Sequence, residues 1–322
     1  MIIESELLLR YAKLRTDTPS NGGLMSKDAV TSGARQNFLR DWTLAEVAAG
    51  ATQYRKFFAH VANADAAALV QAGVHLLGPS SADDRITLFA GTSADTQSTL
   101  SAAPTEYGAG TLQTSVAAGA TTLSVVLEDA GQTIFRTGDQ ICILGDGNEE
   151  YHDGVVVAKN AGVVTVTLAS GDMLGHAYGA GAAVASVLPL GTIQATIGAP
   201  TKTTVAGTID ATKITPDAIG GIDQTVTLTL TSPTSFTVVS DVLGSLGAGT
   251  ISAVCAPTNA DFSRPYFTIA QTAFGGSWAA GEIVRFATVA AAKAVWIKGV
   301  LPAGAAPAGS DSFGLRVIGG SN

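Results

Sequence analysis

The sequence contains 322 residues, which at about 100–200 residues per domain predicts two or three domains with cores of their own. Its 18 lysines and arginines stand against 26 acidic residues, and this net charge of −8 disfavours nucleic-acid binding because no excess positive charge can neutralise phosphates. Charged residues make up 14% of the chain, against about 25% in ordinary globular proteins, which is typical of a surface that faces other protein.

Neither a signal peptide nor membrane insertion is predicted. The apolar residues come in short runs broken by Gly, Thr, Ser and Asp, and none approaches the ~20 residues that a spanning helix needs. Glu4 and Glu6 lie where a signal peptide would carry basic residues followed by an apolar stretch.

Helix signals are confined to residues 1–53, which are predicted to form an N-terminal arm with short helices. Residues 5–15 are expected to form one short helix. Thr43 and Glu46 have the spacing of a capping box that begins a second helix. Residues 16–40 hold few periodic apolar residues, so we expect an extended arm that becomes ordered against a neighbouring subunit.

From residue 54 onward the apolar residues recur with period 2. Residues 54–110 are predicted to form a small antiparallel β unit, with strands at 57–61, 68–77 and 86–89. The segments between these strands are rich in turn-forming residues.

Residues 111–190 are predicted to form a β-rich middle domain, either as a unit of its own or as an insertion into the third unit. Its clearest feature is a hairpin of 155–158 against 163–166. The connection contains Asn160 and Gly162, which tolerate the positive φ of tight hairpin turns.

Residues 191–322 are predicted to form a C-terminal β-sandwich. Within it, residues 225–231 alternate strictly, with Val226, Leu228 and Leu230 on one face and four threonines on the other. Strands that stay in water usually carry Lys or Glu to block association. We therefore expect the threonine side to be covered, by another domain of the chain or by an adjacent subunit.

These patterns together predict the fold class. It is mainly β, with multi-domain antiparallel β-sandwich or barrel units behind a short helical N-terminal region. Strand is expected to exceed helix by at least about threefold, against a usual helix content of roughly a third.

No catalytic, cofactor-binding or metal-binding residue is predicted, and no cofactor is expected. The histidines are interpreted as surface or core residues, because they lack an HExxH spacing and a metal site would have to be assembled from different strands; they are His60, His75, His152 and His176. The sequence contains no G-x-S-x-G motif and no phosphate-binding loop.

Cys142 and Cys255 each lie in an apolar alternating segment and are interpreted as small buried strand residues. Two distant cysteines exclude a disulfide framework and a CxxC metal site. The tryptophans Trp42, Trp278 and Trp296 are dispersed. They are interpreted as core anchors, with a sugar-stacking platform as the alternative.

Two acidic clusters could suggest chemistry. Asp146, Asn148 and Glu150 alternate as Ca²⁺ ligands can, but the distal Glu of an EF-hand is missing, so a solvated turn is the preferred interpretation. Asp83 and Asp84 are adjacent, and neighbouring side chains of an extended chain point apart. They therefore do not form a glycosidase pair and are expected to cap the strand that follows.

Longer motifs lie mainly in the first hundred residues, with others near the end: TPSNGGLMS from Thr18, YRKFF from Tyr54, DDR from Asp83, FAGT from Phe89, DTQ from Asp95, NADF from Asn259, PYF from Pro265 and VLPAGA from Val300. With these motifs, which span most of its length, the chain resembles a virion structural protein of tailed phages. The group concerned is that of the long-tailed, Mu-like siphophages of Gram-negative bacteria.

The resemblance implies a structural subunit and not an enzyme, located in the tail tip or baseplate of a virion assembled in the host cytoplasm. Its partners would be copies of itself in a ring and other tail or baseplate proteins. Alternatives are a tail-tube protein, a capsid decoration or head–tail connector protein, a carbohydrate-binding host-recognition module, and a hydrolase acting on surface polysaccharide.

Overall fold

The computed structural model describes residues 1–203, 205–306 and 311–321. Strands account for 48% of the residues and helices for 6%. The predicted fold class is therefore confirmed: the protein is mainly β, with several antiparallel sheets and little helix.

The first part of the chain contributes one α-helix and five strands: β1 (Leu7–Leu14), β2 (Gly22–Ala29), α1 (Leu44–Ala49), β3 (Ala51–Val61), β4 (Leu69–Leu76) and β5 (Arg85–Ala90). The middle part contributes seven strands: β6 (Ala109–Leu112), β7 (Thr122–Val126), β8 (Ile141–Gly145), β9 (Asn148–His152), β10 (Val156–Asn160), β11 (Val163–Thr167) and β12 (Ala183–Ser186).

The last part contributes the remaining strands of the described residues: β13 (Leu188–Ile193), β14 (Thr196–Ile197), β15 (Thr201–Lys202), β16 (Gly207–Ile209), β17 (Ile214–Pro216), β18 (Gln224–Ser232), β19 (Ser235–Ser240), β20 (Gly244–Thr250), β21 (Thr258–Asn259), β22 (Arg264–Pro265), β23 (Phe267–Ile269), β24 (Phe274–Gly276), β25 (Ile283–Val289), β26 (Ala292–Leu301) and β27 (Leu315–Ser321). Short 3-10 helices lie at Glu4–Glu6, Gln97–Thr99, Ala211–Lys213 and Gln271–Ala273.

A central sandwich is built from strands that lie far apart in the sequence. Its five-stranded sheet has the order β2-β1-β3-β26-β5. β26 pairs with β3 along its whole length, from Ala292 opposite His60 to Leu301 opposite Ala51. The three-stranded sheet β13-β4-β27 packs on this sheet, and apolar side chains from both form one core.

This topology corrects the predicted division of the chain. Segments 1–53, 54–110 and 191–322 are not separate units, because β1 to β5 share their two sheets with β13, β26 and β27. Every residue from Arg55 to Val61 in β3 is buried, so β3 needs partners on both edges and on both faces. Strands that are local in sequence do not supply them all.

The predicted helix at 5–15 is wrong, because β1 occupies most of that segment. β1 lies between β2 and β3, and its Leu7 and Leu9 pack against the central core. The second predicted helix forms as α1. Thr43 Oγ1 accepts from the Glu46 N–H at 3.3 Å, and the Glu46 carboxylate accepts from the Thr43 N–H at 2.8 Å.

Residues 16–40 pack on their own chain, which corrects the prediction of an arm that becomes ordered against a neighbouring subunit. β2 lies within them, pairs with β1 and buries Met25. Asn21 is fully buried and donates to a backbone carbonyl of β3 at 2.8 Å. Arg40 forms an ion pair with Asp17 at 2.6 Å. The segment is thus ordered by its own chain.

The middle of the chain forms a seven-stranded sheet of its own, in the order β10-β11-β7-β6-β12-β8-β9. The predicted hairpin forms as β10 and β11, with Ala161 at φ 52° in the turn. The whole sheet is inserted between β5 and β13, which belong to the two layers of the central sandwich.

A second insertion lies between β13 and β26. Its main sheet has the order β14-β25-β18-β19-β20, with β15 also paired to β25. The inner face of this sheet packs over the small strand pairs β16-β24 and β17-β23, and together they enclose a core around Phe236, Phe267 and Phe286.

A buried lysine joins four segments of the central sandwich. The Lys56 side chain is 0% exposed, and its ammonium lies 2.5 Å from the Asp95 carboxylate. It also donates to the Gly23 carbonyl at 2.8 Å and lies 5.8 Å from the Trp296 ring. The Trp296 indole in turn donates to Asp95 at 3.0 Å. A Cβ added at Gly91 would lie 2.8 Å from this indole, so the ring is closely enclosed.

Replacing Lys56 with methionine should lower the free energy of unfolding by about 3 kcal/mol, because the partly buried Asp95 carboxylate would lose its cation. Urea denaturation followed by circular dichroism measures the change. Lys27→Met, at an exposed position of β2, is the matched control and should change the stability by less than about 0.5 kcal/mol. Equal effects of the two substitutions would contradict this role of Lys56.

Candidate functional site

The outer side of β18 is the most direct candidate for a functional surface. Val226, Leu228 and Leu230 point into the core and are at most 1% exposed, which confirms the predicted inward face. The other side chains form the threonine face, which we define as Thr225, Thr227, Thr229 and Thr231.

The strands that flank β18 extend this face without adding much charge. β19 and β25 pair with β18 on either side, so Thr227 lies between Val239 and Arg285. Val239 is 40% exposed. Arg285 is the only charged residue in the sequences of β18, β19 and β25. The surface is therefore broad, nearly uncharged and rich in methyl and hydroxyl groups.

The described part of the chain does not cover the threonine face. Thr225 and Thr231 are exposed, and Thr227 and Thr229 are half-buried within the sheet surface. Covering by another domain of the same chain, one of the two predicted alternatives, is therefore wrong for the described residues. Covering by an adjacent subunit stays a prediction.

The cluster proposed as a solvated turn or a cation site has another role in the fold. Asp146 accepts a hydrogen bond from the Gly179 N–H at 2.7 Å, and Glu150 accepts one from the Gly175 N–H at 2.8 Å. Asn148 donates to the backbone carbonyl of Asp146. The two carboxylates thus fasten the loop at 175–179 to the β8–β9 hairpin, where they satisfy backbone donors.

Asp83 and Asp84 point apart, as predicted, and β5 begins directly after them. Asp84 is buried and accepts from the Ser80 hydroxyl. Asp83 accepts from the Ala306 N–H at 2.6 Å. The two carboxylates therefore hold different segments and do not form a catalytic pair.

Glu128 lies beside these acids, in a cavity of about 440 Å³ lined by Ala82, Asp83, Arg85, Glu128 and residues 302–305. Burial raises the pKa of Glu128 to about 7, and the nearby Asp84 and Asp311 charges add to the shift while Arg85 opposes it. Burial also raises the pKa of Asp84 to about 6. Glu128 and Asp84 therefore stay protonated at pH values at which ordinary carboxyl groups are ionised.

Two of the four histidines are held by hydrogen bonds within the fold, and a third lies exposed on the surface. His60 is buried, accepts from Arg10 at 2.7 Å and contacts the Ala218 carbonyl at 2.8 Å; burial lowers its pKa to about 4. His152 bonds to Asp172 at 2.7 Å. His176 is exposed.

The fourth histidine, His75, meets Cys142 and Glu149, and sequence reasoning missed this group. Cys142 and Glu149 lie seven residues apart on the paired strands β8 and β9, and His75 comes from the distant strand β4. No spacing motif therefore marks them, and only the pairing of sheets could reveal the group.

The remaining singled-out residues lie mainly in the cores. Cys142 and Cys255 are buried and free, as predicted. Trp278 and Trp296 are buried, while Trp42 is half-buried. The two buried indoles act as core anchors and do not present a platform for sugars.

Comparisons with known proteins found no match among protein-family models, curated proteins or solved structures. Among the described residues, no helix has the length and apolar character needed to cross a membrane.

Replacing Glu128 with glutamine should make stability less sensitive to pH. A carboxyl group whose pKa rises on folding contributes stability below its ordinary pKa of 4.5 and loses it as the pH rises to about 7. The stability of Glu128→Gln relative to the wild type should therefore increase between these pH values. Urea denaturation at a series of pH values measures this difference.

His60 has the opposite pH dependence, because its pKa is lowered on folding. Its contribution is shared by both proteins and cancels in the difference. Glu4→Gln, at an exposed position, controls for the change from carboxylate to amide. A difference between Glu128→Gln and wild type that is the same at every pH would rule out the raised pKa.

Proposed function

We propose that this chain is a structural subunit of a tailed-phage virion, located in the tail tip or baseplate. It acts by self-assembly and by docking neighbouring tail proteins. The proposal combines the sequence resemblance with the open, nearly uncharged threonine face, and that face is the observation that carries it.

The threonine face suits a contact with another protein. An exposed sheet normally carries charges that oppose association, and here three adjacent strands supply only Arg285. Threonine hydroxyls can bond across an interface, and their methyl groups and Val239 add apolar area. Little charge has to be desolvated when such a face is covered.

The overall composition supports the same function. Charged residues are 14% of the chain, and the net charge of −8 opposes binding to DNA that passes through a particle. A subunit whose surface is largely covered in an assembly needs fewer charges to stay soluble than a free monomer does.

The architecture also suits assembly. The central sandwich holds β26 and β27 from the far end of the chain, so it is a closed frame from which two inserted modules extend. Rings form when one surface of a subunit binds a different surface of the next by a rotation that closes. A rigid frame keeps that rotation constant from copy to copy.

Replacing both Thr227 and Thr229 with lysine should impair assembly more than folding. Each lysine keeps an extended backbone but would have to lose its hydration in the contact. The repulsion between a lysine at position 227 and Arg285 on the paired strand should cost only about 0.2–1 kcal/mol within one chain. Sedimentation velocity of the purified chain and incorporation into particles measure assembly, and circular dichroism measures folding.

The matched control carries lysines at Thr114 and Thr122, which are exposed on the other module, and should assemble like the wild type. Normal incorporation of Thr227→Lys/Thr229→Lys would mean that the threonine face stays in water. Cryo-electron microscopy of the intact particle tests the location, because a tail-tube protein would fill many stacked rings and a tip protein only the end of the tail.

A further inference from the structure

Three side chains with different ligand atoms meet where the seven-stranded sheet adjoins the central sandwich. His75 lies on β4, Cys142 on β8 and Glu149 on β9. A ring nitrogen of His75, the Cys142 sulfur and a Glu149 carboxylate oxygen all lie within 4.8 Å of one another. His75 and Cys142 are fully buried. The Glu149 side chain is 26% exposed, so one side of the group opens to solvent.

The orientation of the His75 ring leaves one nitrogen available as a ligand. Nδ1 lies 2.9 Å from the Leu76 carbonyl oxygen. Because a carbonyl only accepts, Nδ1 carries the proton and Nε2 has a free lone pair. Histidines that bind metals commonly donate their other nitrogen to a carbonyl in this way, which fixes the tautomer and the ring.

The Tyr151 hydroxyl contacts two acceptors of the group. The Tyr151 hydroxyl lies 3.0 Å from His75 Nε2 and also contacts the Glu149 carboxylate. A hydroxyl has one hydrogen and cannot donate it to both acceptors. The Cys142 thiol is a weak donor at 3.9 Å from the carboxylate. A cation would satisfy both acceptors at once.

Arg316 holds the carboxylate in place from outside the group. It lies opposite His75 in the β27–β4 pair and donates to the Glu149 oxygen Oε2. The other oxygen, Oε1, faces Tyr151 and Cys142. Glu149 therefore presents one oxygen to Arg316 and one to the group.

We infer that His75, Cys142 and Glu149 bind one divalent cation of the Zn²⁺ class. A set of one nitrogen, one sulfur and one oxygen donor suits Zn²⁺, whose ligands lie about 2.0–2.3 Å from the metal. In a tetrahedral site such ligand atoms are roughly 3.3–3.8 Å apart. The three atoms lie within 4.8 Å of one another, so small side-chain rotations bring them to these distances. Water takes the fourth position, on the side open to solvent.

Binding must displace the Cys142 proton, because the thiolate is the metal ligand. One proton is therefore released to solvent for each cation bound, and no oxidant or reductant is needed. The bound cation would join β4 of the central sandwich to the β8–β9 hairpin. Its effect would be to fasten the inserted seven-stranded sheet to the frame.

Cobalt substitution of the full chain tests the site. Chelator-treated protein titrated with Co²⁺ should bind one ion and develop the thiolate-to-cobalt charge-transfer band together with the visible bands of a tetrahedral ion. Cys142→Ser should lose the charge-transfer band, and His75→Gln should bind Co²⁺ at least about tenfold more weakly. Cys255→Ser and His176→Gln, the matched controls, should give the wild-type spectrum.

X-ray absorption of the Zn²⁺-loaded wild type keeps the test independent of how the variants fold. It should show one sulfur at about 2.3 Å and nitrogen or oxygen ligands at about 2.0–2.2 Å. The inference is overturned if the wild type binds neither ion stoichiometrically, if zinc has no sulfur ligand, or if the band survives Cys142→Ser in a folded protein.

Discussion

The buried Lys56 ammonium is the constraint on which the central sandwich depends. A charge in the interior is stable only with a partner and with hydrogen bonds for its remaining donors. Here the donors reach Asp95 and Gly23, which lie 39 and 33 residues away in sequence. The Trp296 indole closes the group by donating to Asp95. One side chain thus holds together β2, β3, β26 and the segment after β5.

This arrangement explains why β26 lies inside the five-stranded sheet although almost the whole chain separates it from β1. Because β26 pairs with β3, the two long segments between β5 and β26 must each begin and end at a strand of the central sandwich. Each folds into a sheet with its own core, one around Val125 and Ile143 and the other around Leu228 and Phe286. Their outer surfaces are thereby free for other contacts.

The two modules provide different kinds of site. The threonine face on β18 is an outward surface whose significance lies in its lack of charge. The group at His75, Cys142 and Glu149 lies instead at the junction between the other module and the frame. The proposed assembly subunit would need both properties, since a surface can bind a neighbour in a fixed direction only if the module that bears it is firmly attached.

The sequence by itself determined the elements whose pattern is local. The Thr43–Glu46 capping box, the alternating strand 225–231 and the β10–β11 hairpin could be predicted, because caps, side-chain alternation and turns depend on neighbouring residues.

The tertiary structure alone decided the rest. Residues 7–14 form a strand because β3 pairs with them. The predicted units merge because β26 joins β3, and His75 meets Cys142 because two sheets adjoin. Such contacts leave no spacing in the sequence, since strand pairing can unite residues at any separation.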